Sequence, residues 1–254
     1  MLPLARDLTL ALDPCVLMQA LGMEPDAWQR DLLRSDAARM LLNCSRQSGK
    51  TTVAGVLALH EALYRPPALV LIASPALRQA QEVFRVVSGF YGRLAGAVPT
   101  EAESALRLEL VNGSRIIALP GSEATVRGYA GVRLVLLDEA ARVPDTLYDA
   151  LAPALAVSRG RIILLSTPFG RRGVFHHLWS EGGSEWYRAR VPASECARIP
   201  ATFLEEQRRT MPLWNFRQEF ECEFVETTGE QLFSYEDVMG ALDASVKALF
   251  GGEA

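Results

Sequence analysis

The sequence predicts an α/β fold in which a mostly parallel central sheet is flanked by helices. Short, nearly continuous apolar runs alternate with helical stretches along the chain, a pattern typical of parallel strands covered on both faces. The chain has 254 residues, of which 49% are hydrophobic and 22% are charged. This size and composition suit one α/β domain with a small appended subdomain.

Four apolar runs are the candidate parallel strands, and they cover residues 38–43, 68–73, 134–137 and 161–165. The segments after the first two runs predict helices over 51–64 and 75–94. A different pattern covers 106–119, where Asn112 and Gly113 separate two strand-like runs and predict a hairpin. We expect this hairpin to be an antiparallel insert between the second and third parallel strands.

Beyond Val191 the chain becomes more charged and helical in pattern, and it predicts helices over 203–209, 214–224 and 235–249. We therefore place an α/β core at residues 1–195 and a small, mainly helical C-terminal subdomain at 196–254. The sequence contains neither an internal repeat nor a low-complexity linker, so no further division is expected.

A phosphate-binding loop is predicted where the first strand passes into the first long helix. Residues 44–51 read Cys-Ser-Arg-Gln-Ser-Gly-Lys-Thr and lie between an apolar run and a helix, as such a loop requires. Backbone N–H groups of the loop and of the helix N-terminus would surround a β-phosphate. Lys50 would bridge the β- and γ-phosphates, and the Thr51 hydroxyl would bind Mg²⁺. ATP and Mg²⁺ are therefore the expected cofactors.

The loop departs from the usual G-x-x-x-x-G-K-[ST] pattern because Cys44 stands where the first glycine normally lies. A lone Gly-Lys-Thr is also compatible with an ordinary helix start, so the interpretation depends on a partner motif elsewhere. The expected nucleotide-binding residues of this segment are Ser45, Arg46, Gln47, Ser48, Gly49, Lys50, Thr51 and Thr52.

The partner motif ends the third apolar run, which Asp138 and Glu139 follow directly. Ligands of open α/β folds bind at the carboxyl ends of the strands, so both carboxylates are expected beside the phosphate loop. Asp138 would hold Mg²⁺ together with Thr51, and Glu139 would polarise the attacking water. The alternative is a pair at a helix N-terminus, because acidic side chains favour the first helical turn.

The fourth apolar run ends in hydroxyls rather than carboxylates. Ser166 and Thr167 follow it and precede Pro168. Either hydroxyl would be placed to sense the γ-phosphate, and we include Thr167 among the nucleotide-binding residues. The alternative is simple termination of the strand before Pro168.

Taken together, these motifs resemble those of one family. Ser45-Arg-Gln-Ser-Gly-Lys-Thr-Thr52, Leu137-Asp-Glu-Ala-Ala141 and Ser166-Thr-Pro-Phe-Gly170, in this order, resemble the large terminase subunit of tailed bacteriophages. Residues 24–33 resemble its adenine-contacting segment, and residues 216–224 and 229–233 resemble the end of its ATPase region. The resemblance implies a P-loop NTPase fold of the ASCE/RecA-like type, which hydrolyses ATP to translocate double-stranded DNA into a procapsid.

The resemblance also implies roles for individual residues. Gln29 would read the adenine edge, since an amide donates and accepts at once. Arg46 would contact the γ-phosphate, and Arg127 would act as an arginine finger in the neighbouring subunit's site. A solvent-facing loop arginine is the alternative for Arg127. Arg142 is an interface or DNA-contacting candidate, or simply a solvated arginine.

Double-stranded DNA, a homo-oligomeric ring on the portal, the portal protein and the small terminase subunit are the partners that the resemblance implies. The net charge of −4 leaves DNA binding open, because affinity depends on a local basic patch. The host cytoplasm is the expected location. The four scattered cysteines indicate neither a disulfide framework nor a zinc site, and no segment has the pattern of a signal peptide or a membrane span.

Nuclease activity is not expected from this chain. Large terminase subunits carry a second, RNase H-like nuclease domain, whereas Asp237 and Asp243 lie on a helix-like stretch without strands to gather them. Two other functions are alternatives: a helicase-like nucleic-acid-dependent ATPase, and a non-hydrolysing nucleotide-binding scaffold. The chain is too short for the second lobe of a common helicase, and the complete set of candidate catalytic residues argues against a scaffold.

Overall fold

The computed structural model describes residues 3–94, 98–120, 122, 126, 128–156 and 158–226. Arg127 and the helix predicted over 235–249 lie outside these residues.

Within the described residues, the central sheet has eight strands in the order β3-β4-β5-β2-β6-β7-β1-β8. The strands are Arg39–Cys44 (β1), Leu69–Ser74 (β2), Thr100–Glu103 (β3), Arg107–Leu110 (β4), Arg115–Pro120 (β5), Val132–Asp138 (β6), Arg161–Ser166 (β7) and Trp186–Val191 (β8). All neighbouring strands from β5 across to β8 pair in parallel. The predicted α/β fold with a mostly parallel sheet is therefore confirmed.

The described helices are Pro3–Leu12 (α1), Pro14–Ala20 (α2), Ala27–Leu33 (α3), Lys50–Tyr64 (α4), Leu77–Tyr91 (α5), Asp145–Ala156 (α6), Gly173–Glu181 (α7), Ala201–Thr210 (α8) and Leu213–Phe220 (α9). Two short 3₁₀ turns cover Ala140–Arg142 and Ala193–Glu195. None of these helices combines the length and the apolar character that crossing a membrane requires.

Two hydrophobic clusters lie on opposite faces of the sheet. Leu42 of β1 packs in the cluster that contains α4 and α5, whereas its neighbour Leu41 packs in the cluster that contains α6 and α7. Residues of the four central strands are almost all buried, because helices cover both faces. This double coverage explains why the sequence shows continuous apolar runs rather than an alternating pattern.

The predicted antiparallel hairpin is present and lies between β2 and β6 along the chain. Gly113 adopts φ 82° in the turn between β4 and β5, and the Ser114 N–H donates to Asn112 Oδ1 over 2.9 Å. β5 pairs antiparallel with β4 but parallel with β2, so the hairpin extends the main sheet. The four residues of β3 are all exposed, and no apolar pattern in the sequence predicts that edge strand.

The C-terminal described segment packs across the carboxyl ends of β1 and β8. The helix predicted over 214–224 is shorter in the structure and ends at Phe220, after which Cys222 adopts a left-handed φ of 58°. The amide of Asn43, in β1, donates to the Cys222 carbonyl over 2.9 Å. A small apolar cluster of Ala193, Phe216 and Phe220 joins the segment to the chain after β8. The division at 195/196 stays a prediction.

Candidate active site

The carboxyl ends of β1, β6 and β7 meet at one edge of the sheet, and α4 begins there at Lys50. The loop between β1 and α4 carries the predicted phosphate-binding residues. Its first N–H, at Ser45, donates to the Val191 carbonyl at the end of β8 over 2.9 Å. The sequence motifs at three separate strand ends are therefore brought to one site.

The loop turns through two left-handed residues, Gln47 at φ 58° and Gly49 at φ 96°. The conformation favours glycine at position 49, where a Cβ would lie 2.8 Å from Gln29 Nε2 and 2.9 Å from Arg198 Nη2 and would displace the ends of these side chains. Cys44, by contrast, is the last residue of β1 and pairs in register with Val191. The first glycine of the usual motif is dispensable here because its position is an ordinary strand residue.

Gln29 lies beneath the loop rather than at an open surface. Its side chain is buried, its Oε1 accepts from the Asp26 N–H over 2.9 Å, and its Nε2 lies beside Gly49. A contact with adenine therefore requires Gln29 to move out of this position, and its adenine-reading role stays a prediction.

Arg198, which the sequence analysis does not single out, joins the loop to the start of α3. Its Nη2 donates to the Ser48 carbonyl over 2.6 Å and lies 2.8 Å from Asp26 Oδ2. No sequence signal marks it, because the contact depends on how the chain after β8 folds back over the loop.

The ammonium Nζ of Lys50 lies 3.3 Å from Glu139 Oε1, and both side chains are largely buried. Glu139 adopts a left-handed φ of 52° directly after β6. Non-glycine residues in this conformation are uncommon and are concentrated at functional sites. Burial raises the pKa of the neighbouring Asp138 to about 6, with the nearby Lys50 acting in the opposite direction.

Asp138 Oδ1 and Ser74 Oγ are among the buried oxygens that have no hydrogen-bond partner within the described residues. Their strands β6 and β2 are adjacent, and Ala73 pairs in register with Leu137. Ser74 and Asp138, the last residues of the two strands, are therefore neighbours at the edge of the sheet. Buried polar atoms in folded proteins are normally satisfied, and this pair is suited to a hydrated cation. Asp138 therefore fits a Mg²⁺ ion, and the sharing of that ion with Thr51 stays a prediction.

Ser74 lies at the candidate site beside Asp138, and the sequence analysis does not single it out. The signal that would have found it is the one used for Ser166 and Thr167: an apolar strand that ends in a hydroxyl followed by proline, here Pro75.

The two hydroxyls at the end of β7 have different partners. Ser166 Oγ accepts from the Ala141 N–H over 3.2 Å, whereas Thr167 Oγ1 accepts from Arg142 Nη1 over 3.2 Å. Because Arg142 also contacts Glu139, Thr167 is linked to the candidate catalytic carboxylate. Its sensing role stays a prediction.

Arg46 extends from the loop toward α9. Its Nε donates to Glu219 Oε2 over 2.6 Å, and its backbone N–H donates to the Glu219 carbonyl over 3.1 Å. Beside these residues opens a cavity of about 480 Å³, within the size range of small-molecule sites. Its lining combines the loop residues Arg46 and Gln47 with residues that follow β8. These are the apolar Ile199, Pro200, Phe203, Met211 and Phe220 and the polar Arg198, Gln207, Asn215 and Glu219.

The family model described as terminase large subunit, T4likevirus-type, N-terminal, matches residues 41–238. The chain belongs to this terminase family. The match spans β1 to the C-terminal segment and so includes the loop, the Asp-Glu motif and the Ser-Thr-Pro motif. The family assignment made from these motifs is confirmed.

Several members of the family are similar to this chain. The large terminase subunit of Thermus virus P23-45 is 29% identical over 82% of this chain and 50% of its own length. That of Escherichia phage T5 is also 29% identical, over 82% of this chain and 47% of its own length. The chain thus spans about half the length of these terminase relatives.

The solved ATPase domain of the Thermus phage P74-26 large terminase superimposes with a TM-score of 0.74 and 27% identity, covering 82% of this chain and 97% of that one. The large terminase of another thermophilic bacteriophage, solved in complex with ADP, has the same fold at a TM-score of 0.61 and 13% identity, covering 82% of this chain and 52% of that one. The predicted P-loop fold class is confirmed by the match to a terminase ATPase domain.

Proposed function

We propose that this chain is the ATPase motor domain of a viral terminase large subunit, which hydrolyses ATP to drive double-stranded DNA into a procapsid. The observation that carries the proposal is the meeting of Lys50, Asp138 and Glu139 at the edge of the sheet where the phosphate loop begins. Membership in the terminase family and the likeness to a solved terminase ATPase domain support it.

The loop and the start of α4 would bind the triphosphate through backbone N–H groups, and Lys50 would contact the β- and γ-phosphates. Thr51 and Asp138 would hold Mg²⁺, with the Ser74 hydroxyl bonding one of its water ligands. The ion neutralises charge on the phosphate oxygens when it is bound. Glu139 would then orient the attacking water and accept its proton.

The cavity beside Gln47 is the proposed place for the nucleoside. Its walls include Pro200, Phe203 and Phe220, which offer apolar surface to a base, together with Arg46 of the phosphate loop. The large terminase of the second thermophilic bacteriophage has been solved with ADP and with ATP-γ-S, which supports nucleotide binding by the shared fold.

The proposed partners are double-stranded DNA, further copies of the chain in a ring, the portal protein and the small terminase subunit, in the host cytoplasm. On the strength of the resemblance, Arg127 would act as an arginine finger in the neighbouring subunit's site, and Arg46 would contact the γ-phosphate. Absence of nuclease activity from residues 1–254 is part of the same proposal.

The test combines the protein with its portal, its procapsid and linear double-stranded DNA, and measures both ATP turnover and protection of the DNA from nuclease digestion. DNA-dependent turnover with protected DNA is expected, and Lys50→Ala should abolish both. The matched control is Arg34→Ala, which removes an exposed arginine paired with Asp13 and should retain both activities. Separation of forked DNA strands without packaging would favour a helicase, and nucleotide binding without turnover under any condition would favour a scaffold.

A further inference from the structure

Arg142, which the sequence analysis leaves as an interface, DNA-contacting or solvated arginine, has several partners at the candidate active site. Its guanidinium donates through Nη1 to Glu139 Oε2 over 2.8 Å and to Thr167 Oγ1 over 3.2 Å. Its Nη2 donates to Glu219 Oε1 over 3.4 Å, and its Cζ lies 4.6 Å from the centre of the Phe169 ring. These contacts join the Asp-Glu motif, the Ser-Thr-Pro motif and the C-terminal helix α9.

The backbone already fixes Arg142 relative to Glu139. The Arg142 N–H donates to the Glu139 carbonyl over 2.9 Å and closes the 3₁₀ turn that follows β6. The side-chain contact therefore adds a second, independent link between the same two residues. Because Arg142 contacts both the backbone and the side chain of Glu139, the Glu139 carboxylate has few orientations available to it.

The two oxygens of Glu139 have different partners. Oε1 faces Lys50 Nζ at 3.3 Å, and Oε2 accepts from Arg142. Lys50 is the residue that a triphosphate would recruit, so its contact with Glu139 would weaken once the nucleotide binds. Arg142 has no such competing task in the proposed mechanism and would keep the carboxylate in place during hydrolysis.

We propose that Arg142 is a positioning residue that orients the Glu139 carboxylate toward the attacking water, and that Thr167 and Glu219 in turn hold the Arg142 guanidinium. The inference rests on the proposed function, since it requires Glu139 to act on that water. A planar guanidinium can donate to three acceptors at fixed angles and lie over a ring, whereas the compact ammonium of a lysine cannot reproduce that pattern.

The inference is tested by steady-state ATP turnover and nucleotide affinity of Arg142→Ala and Arg142→Lys. Because loss of orientation affects the chemical step, kcat should fall on the order of 10²-fold for Arg142→Ala with KM nearly unchanged. The kcat of Arg142→Lys should lie between that of Arg142→Ala and that of the unsubstituted protein. The control Arg217→Ala removes an exposed arginine of α9 whose ion-pair partner is Glu223, and it should leave both constants unchanged.

A double-mutant cycle separates positioning from a general structural effect. If Arg142 acts through Glu139, adding Arg142→Ala to Glu139→Gln should cost no further activity, whereas independent effects would multiply. Glu219 keeps its contact with Arg46 when Arg142 is removed, so the variant should fold, and thermal unfolding checks this.

Loss of turnover in Glu139→Gln together with normal kcat in Arg142→Ala would overturn only this inference. Multiplicative losses in the double variant, or a raised KM with normal kcat, would overturn it as well. Unchanged turnover in Glu139→Gln would instead remove Glu139 from its proposed role and so overturn the proposed function's mechanism.

Discussion

Lys50 and Glu139 contact each other across the candidate active site, with Nζ 3.3 Å from Oε1. One residue comes from the first turn of α4 and the other from the end of β6, so the contact joins the two motifs on which the proposed hydrolysis depends. It also means that the two side chains satisfy each other's charge before any nucleotide enters.

Replacing Glu139 by glutamine should therefore preserve ATP binding and abolish most turnover. The amide retains an oxygen that can accept from Lys50 or Arg142, but it cannot take a proton from water. We expect kcat to fall by about 10²- to 10⁴-fold, the usual contribution of a general base. Turnover and the affinity for a fluorescent ATP analogue are the measurements. Glu223→Gln, which alters an exposed carboxylate, is the control, and a similar loss in that variant would count against a specific role.

Arg127 should complete the site of a neighbouring subunit. Assembled motors of Arg127→Ala alone or of Lys50→Ala alone should both be inactive. A mixture of the two should recover part of the turnover, because some interfaces then combine an intact Lys50 with an intact Arg127. ATP hydrolysis by rings assembled at several mixing ratios is the measurement. If no ratio restores activity in assembled rings, a finger acting between subunits is excluded.

Ser74→Ala should weaken Mg²⁺-dependent nucleotide binding without destabilising the protein. The hydroxyl is fully buried and unpaired within the described structure, so its removal costs no existing hydrogen bond. Loss of one bond to a metal-bound water corresponds to about 1 kcal/mol, or roughly fivefold in affinity. ATP affinity with Mg²⁺ and with EDTA, together with urea unfolding, provides the measurement.

The control for Ser74 is Ser114→Ala, at a distant buried hydroxyl that accepts from the Ala68 N–H over 3.0 Å. That variant should lose about 1 kcal/mol of stability and keep its Mg²⁺ dependence. A Ser74→Ala protein that is destabilised like the control, with unchanged Mg²⁺ dependence, would show that the hydroxyl is structural.

Acid should destabilise the fold through His60, which lies in α4. Burial lowers the pKa of His60 from 6.5 to about 4, and its Nε2 lies 3.1 Å from the Leu10 carbonyl of α1. Between these two values the unfolded chain binds a proton that the folded protein excludes, so stability falls as the pH drops from about 6.5 to about 4. The full effect is on the order of 3 kcal/mol.

Urea unfolding of the unsubstituted protein and of His60→Gln at pH 7 and at pH 4.5 measures this contribution. The variant should lose less stability between the two values than the unsubstituted protein does. Equal losses would assign the acid sensitivity to carboxylates alone.

The sequence predicts the central strands and the residues at their ends because both depend on local patterns. A buried parallel strand needs an apolar run, and the phosphate loop, Asp138 and Ser166 each follow such a run directly. β3 is missed because an exposed edge strand needs no apolar residues, and its pairing with β4 supplies the structure.

The contacts of Arg142, Arg198 and Glu219 could not be predicted for a different reason. The contacts of Glu219 with Arg142 and Arg46, and of Arg198 with Ser48, join residues that are far apart in the chain and depend on how the segment after β8 folds back over the sheet edge. Arginine and glutamate are common on protein surfaces, so their identity alone does not distinguish a buried partner from a solvated one.

The fold-back of residues 218–222 determines how far this protein can be shortened. Asn43, Arg46 and Gly170 receive hydrogen-bond partners from Cys222, Glu219 and Gln218 respectively. In a protein truncated at residue 195, these groups would lose their hydrogen-bond partners at the edge of the sheet where the phosphate loop begins. A shortened protein with an intact nucleotide site should accordingly extend at least through residue 222, because Glu219 and Phe220 also line the cavity beside the loop.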